Sequence, residues 1–148
     1  MWAYWLNFWQ VWVPQVTRGE PYDIVHNGDV IDGVHHNSTS QISHNLEDQL
    51  RIAEMALKEV VAKCHRRGGS YYQIRGTEAH VGPSAVWEEQ LAKRLGAKPN
   101  QQGQYARYDL WKRVGGALVH LLHHVGTTAS SAHEASAVNA ELTAEYVE

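Results

Sequence analysis

A single cysteine among 148 residues excludes any disulfide framework within the chain. The 4 prolines and 12 glycines are too few for a low-complexity linker or a collagen-like repeat. Positive charge is also scarce: 13 Lys and Arg stand against 16 Asp and Glu, well mixed along the chain, for a formal net charge of -3. No basic stripe can form, so nucleic acid is not an expected partner. There is no uninterrupted apolar run to span a membrane, and the N-terminus lacks the basic flank and small-residue cleavage site of a secretory signal. The lone thiol suits a reducing compartment, and a cytoplasmic location is expected. A GxSxG elbow and a GxxxxGK[ST] phosphate loop are both missing. A Ser/His/Asp triad drawing on Ser130, Ser131 and His133 is the remaining nucleophilic alternative.

With 43% hydrophobic and 20% charged residues, the chain can bury a core and is read as one domain over residues 1–148. It is rich in histidine and tryptophan, with 10 and 6 respectively. Trp2, Trp5, Trp9, Trp12 and Val16 recur at alternating three- and four-residue steps, which predicts one face of an amphipathic helix that Pro14 ends. That stripe is expected to be buried, on the chain's own sheet or against a partner subunit or a lipid surface.

Tyr22 to Asn27 is a β-prone run bounded by Pro21 and Gly28, and it leads directly into GDVIDG. Leu46, Leu50, Ala53, Leu57, Val60 and Cys64 then share one face of a long helix closed by Gly68 and Gly69, which makes Cys64 a core residue. A second strand, Tyr71 to Arg75, runs into the polar turn GTEAHVG. Pro83 opens a helix carrying Val86, Trp87, Leu91 and Leu95. Gln104 to Leu110 alternates like a half-buried strand, and Ala117 to Leu122 is an apolar strand ending in His123 and His124. Gly126 to Ser131 reads as a turn and His133 to Val147 as a last helix. Strand, loop and helix in alternation predict an α/β fold, a layered sandwich whose site gathers in loops at the carboxyl ends of strands.

Three such loops carry the candidate chemistry. Asp29, Glu78 and one of His123 and His124 lie at three strand ends, and carboxylate and imidazole are the ligands a divalent ion takes. Zn²⁺, Mn²⁺, Ca²⁺ and Mg²⁺ all remain open. Asp32 and His80 are the candidate catalytic groups, and His80, His35 and His36 the candidate substrate contacts. The plainer reading is that Asp29 and Asp32 cap turns and that the histidines serve ordinary loops. His44 sits in the same polar stretch as His35 and His36. His65 is placed at a helix end, and His26 and His120 on strands facing the interior or the opposite layer.

Gly28-Asp29-Val30-Ile31-Asp32 resembles the GDxxD block of the calcineurin-like metallophosphoesterases, especially those of phages, in which the first Asp bridges two metals. Gly76 to His80 falls where that family has GNH[DE], with Thr77, Glu78 and Ala79 in place of its Asn and His. The strand ending in His123-His124 corresponds to the block supplying a metal-binding His. The family's opening DxH strand and closing GHxH turn have no counterpart here, so the chain resembles an internal piece of such an enzyme. The resemblance implies an incomplete metallophosphoesterase fold, with Asp29, Glu78 and His123 or His124 holding one ion and His80 reaching a substrate.

Three functions compete. A phosphoesterase-like hydrolase would use metal-activated water. A hydrolase of carboxylic esters or lactones would need only one ion. A non-catalytic remnant or interaction module would use the tryptophan face. The substrate in the first two is a small-molecule ester. The sheet edges of an incomplete fold and the tryptophan stripe both predict a homo-oligomer, most simply a dimer.

Overall fold

A computed structural model describes residues 1–35, 39–82, 84–124 and 135–147 of the chain. The N-terminal segment is helical throughout: α1 spans Trp2–Asn7, a π-helical turn Phe8–Trp12 follows, and α2 spans Val13–Thr17. Pro14 therefore does not stop the helix as expected. Proline has no N–H to return to the preceding turn, and here the backbone widens just ahead of it, so that the Val13 N–H reaches back to the Phe8 carbonyl. Widened turns of this kind tolerate an interrupted hydrogen-bond ladder. The helix ends instead at Arg18, in the left-handed region at φ 50.

The core is a parallel sheet with its crossover helices. Strand β1 spans Ile24–Asn27, α3 Leu46–Arg66, β2 Tyr71–Ile74, α4 Glu78–Val81, α5 Val86–Arg94 and β3 Ala106–Arg107. The sheet order is β1-β2-β3, with Ile24 opposite Tyr71 and Gln73 opposite Ala106. Adding each strand on the same side through right-handed crossovers places α3 and α5 on one face of the sheet. Leu50, Leu57, Val61 and Cys64 of α3 meet Tyr71 and Leu91 there in one buried cluster. The Asn45 side chain accepts from the Glu47 N–H at the start of α3. Glu47 and Asp48 in its first turn, with Lys63, His65 and Arg66 in its last, match the helix dipole. Cys64 is fully buried as expected, its thiol 3.0 Å from the Tyr22 carbonyl, and burial raises the thiol pKa.

The expected strand over 104–110 is divided at Tyr108. Tyr105 and Ala106 donate their N–H groups to Glu89, which seats β3 beside β2. The chain then departs into an antiparallel hairpin, β4 Asp109–Val114 and β5 Ala117–Leu122. The hairpin meets sheet residues that point away from α3 and α5. Lys112 lies over the Tyr72 ring and pairs with Asp23 at 2.6 Å, and the Asn27 amide donates to the Leu122 carbonyl. Helices, parallel sheet and hairpin thus form a mixed α/β arrangement. GTEAHVG holds the single helical turn α4 rather than a plain turn. Pro83 and the turn expected at 126–131 lie outside the described residues, as does the start of the last helix, which is described as α6, Ser136–Val147.

The tryptophan stripe is only half buried, contrary to expectation. Trp5 and Trp9, edge to face with one another, pack against the core cluster, while Trp2 and Trp12 are 58% and 50% exposed. Among the described residues no helix is long and apolar enough to cross a membrane.

Asp23 joins the sheet to the hairpin, accepting from the Ser70 N–H while it pairs with Lys112. Burial on its own would raise this carboxyl. The Lys112 ammonium, the Ser70 N–H and the more distant Lys98 outweigh it and hold the pKa below the usual carboxylate range. A lowered folded-state pKa adds stability above the unfolded value, about pH 4, and that stability is lost as pH falls through the folded value. Lys112→Met is expected to cost about 1 kcal/mol at neutral pH. In urea unfolding the gap between the two proteins should narrow below about pH 4. A gap that persists undiminished in acid would assign Lys112 to packing on Tyr72 alone.

Candidate functional site

The loop after β1 turns sharply, with Gly28 and Asp29 both in the left-handed region at φ 77 and 51. Aspartate tolerates this conformation better than most residues. The turn carries the Asp29 carboxylate back across the ends of the strands. Its Oδ1 accepts the Thr77 N–H at 2.8 Å, and its Oδ2 lies 2.9 Å from His123 Nε2 and 3.9 Å from His80 Nε2. The approach is close enough that a Cβ at Gly76 would strike the Asp29 carboxylate and amide, and one at Gly28 would strike the His123 ring. Loops after β1, β2 and β5 therefore converge on one carboxylate.

Both histidines are oriented by backbone. The Nδ1 of His123 meets the Asn27 carbonyl, and that of His80 meets the Asp32 carbonyl at 2.7 Å. A ring nitrogen bonded to a carbonyl must carry the proton, which leaves Nε2 as the lone-pair nitrogen on the side facing Asp29. A neutral His123 has no second hydrogen for its 2.9 Å contact with Asp29 Oδ2. That contact calls for a second proton or for a cation between the two atoms. Histidines that bind metals are held in this manner, one nitrogen on a carbonyl and the other on the ion.

His80 also belongs to a second group. Asp32, His35 and His80 offer ligand atoms that all lie within 4.8 Å of one another. Asp32 Oδ1 is 3.3 Å from His35 Nε2, and the His35 and His80 rings meet edge to face at 4.3 Å. The Gln41 amide donates to Asp32 Oδ2 and, with His35, lowers the Asp32 pKa. Gln49 fixes the adjoining loop by exchanging hydrogen bonds with both the N–H and the carbonyl of Gly33. Neither glutamine stands out in the sequence, since Gln41 lies in a polar loop and a helix-face Gln such as Gln49 ordinarily reads as solvated.

Glu88 was equally hidden, because an acid in the first turn of a helix reads as a dipole partner. It is fully buried. Its carboxylate accepts the Val30 N–H after β1 at 3.2 Å, the Gly76 N–H after β2 at 2.7 Å, and the Gln73 amide. Burial raises its pKa, and the two backbone donors oppose that rise.

Of the residues expected in the site, Asp29, His80 and His123 come together, and Asp32 and His35 adjoin them through His80. Glu78 and His124 do not join Asp29. They line a cavity of about 450 Å³ beside His123, with Arg75, Tyr108 and His120 in the same wall. The expected set of Asp29, Glu78 and one of His123 and His124 thus gathers only in part among the described residues: Asp29 and His123 meet, while α4 carries Glu78 toward the cavity. His36 lies outside the described residues, and His44 is exposed. His26 faces the helical layer beside Gln73, where burial lowers its pKa, and His120 stacks on Trp111 at 4.1 Å. No protein family, curated protein or solved structure matches this chain.

Glu88→Gln should cost about 2–3 kcal/mol, because an amide sets its own hydrogens against one of the two backbone donors and leaves that N–H buried and unpaired. Chemical unfolding measures this directly. A cost under about 0.5 kcal/mol, the usual scale of surface substitutions, would show that the two loops hold their places without Glu88.

Proposed function

We propose that this chain is a divalent-metal-dependent hydrolase of ester bonds, resembling an incomplete calcineurin-like metallophosphoesterase. The observation that carries the reading is the pair of backbone-oriented imidazoles, His80 and His123, whose Nε2 atoms face the Asp29 carboxylate from two sides. A carboxylate with an imidazole, Asp29 with His123, fits Zn²⁺ or Mn²⁺ better than the oxygen-seeking Ca²⁺ and Mg²⁺. Asp29 and His123 would hold the ion. His35 and Asp32 offer a neighbouring set that shares His80.

A bound divalent ion supplies Lewis acidity toward an ester oxygen and lowers the pKa of water. The chain's own part is positioning and proton transfer. His80 keeps its Nδ1 proton on the Asp32 carbonyl, so Nε2 is the atom that accepts or returns a proton. Asp32, exposed and held ionised by Gln41 and His35, sets the charge beside that ring. Substrate would lie in the cavity beside His123, where the Arg75 guanidinium, stacked over Tyr108 at 4.4 Å, favours an anionic phosphoester over a neutral carboxylic ester or lactone. We also place the chain in the cytoplasm, as a homodimer through the free edge of β1 or the N-terminal helix. Sedimentation at micromolar concentration tests the dimer, and a monomer would overturn it.

Protein purified without chelator should contain a divalent ion and hydrolyse nitrophenyl phosphate in preference to nitrophenyl acetate or a lactone, with loss on chelation and recovery with Mn²⁺ or Zn²⁺. Asp29→Ala should abolish both metal content and activity while preserving the fold, and unchanged metal content in that variant sinks the site. His80→Ala should lower turnover by about 100-fold with a smaller effect on metal content. Glu78→Ala should do less to metal content than Asp29→Ala. Activity absent with every metal and ester would leave a non-catalytic remnant.

A further inference from the structure

The N-terminal helical segment and α3 enclose an apolar groove of about 490 Å³, well away from the strand ends and within the size range of small-molecule sites. Trp5, Trp9, Ala56 and Val60 contribute to its walls, with Trp2 and Met55, both largely exposed, also lining it. Two polar atoms of lining residues are unusual. Trp9 Nε1 and Arg67 Nη1 are shielded from water, and neither has a hydrogen-bond partner among the described residues. Buried N–H groups are nearly always paired, so two orphaned donors on residues that line one groove are an exception that calls for an acceptor.

The charge around the groove has one sign left over. Arg66 is taken up by Glu59 at 2.6 Å. Lys63 and Arg67 also line the groove, and the side chain of neither has a hydrogen bond or ion pair among the described residues. An occupant must therefore place an alkyl chain along the indole rings and Val60 and an anionic acceptor near Arg67, Lys63 and the Trp9 indole N–H. An extended peptide would bring a row of backbone groups against the indole rings, Ala56 and Val60, which offer them no partner.

We propose that this groove is a binding site for a free single-chain carboxylate, a fatty-acid anion of medium length, independent of the metal site. Trp5 and Trp9 serve as internal reporters. Titrating the full-length protein with monomeric dodecanoate should shift its tryptophan emission saturably, whereas dodecanol should bind about tenfold more weakly or less and dodecyltrimethylammonium more weakly still. Arg67→Met keeps the aliphatic stem and removes the charge, and Lys63→Met does the same at a more exposed position. Each should weaken dodecanoate binding by about tenfold and leave dodecanol binding unchanged. Cationic amphiphile binding equal to that of dodecanoate, or unchanged dodecanoate affinity in both variants, would overturn the assignment. So would emission changes seen only with anionic phospholipid vesicles, or self-association that excludes dodecanoate, since these assign the groove to a membrane surface or to a second copy.

Discussion

One buried carboxylate holds the two central loops in register. The strands stop at Asn27 and Ile74, and beyond the Arg75 N–H, which donates to the Arg107 carbonyl, no ladder satisfies the N–H groups of the two loops. Glu88 reaches up from α5 to accept from Val30 and Gly76 together. Desolvating a carboxylate is costly, and the cost is met here only because both oxygens are occupied by donors. With the loops fixed, Gly76 can lie against Asp29, and Asp29 can take the Thr77 N–H on one oxygen while presenting the other to two imidazoles. Loss of the Glu88 contacts would free both loops, and the geometry at Asp29 would go with them.

The broad fold was legible because its signals are strong and local. The alternation of apolar and polar residues along α3 and the Gly68-Gly69 stop agree with one another. So does the placement of GDVIDG just after a short β-prone run. What escaped was set by distant contacts. Tyr105 and Ala106 turn toward Glu89, so a single alternating run became β3 and the start of β4. Pro14 looked like a terminus because the widened turn that accommodates it leaves no mark in the sequence.

The site divides in the same way. Asp29 was readable from its position after a glycine at a strand end, and His123 from its place at the end of an apolar strand. His80 was expected to approach substrate, yet its ring is held by the Asp32 carbonyl at a point where it serves two groups at once. Glu78 and His80 are only two residues apart, and one helical turn sends their side chains in different directions. Gln41 and Gln49 act through Gly33, 8 and 16 residues back, and Glu88 through Val30, 58 residues back, and no spacing rule connects such pairs.

The π-helical turn at Phe8–Trp12 alters more than the path of the backbone. A residue added to a helix advances everything beyond it by about 100° around the axis. Trp5 and Trp9 precede or enter this change of phase and lie inward on the core, whereas Trp12 closes it and stacks on Phe8 at the surface. Between Trp9 and Trp12 a stripe continuous on paper is thereby turned from the core toward solvent. The segment can thus commit one aromatic face to its own chain while keeping a second, differently directed face in contact with solvent.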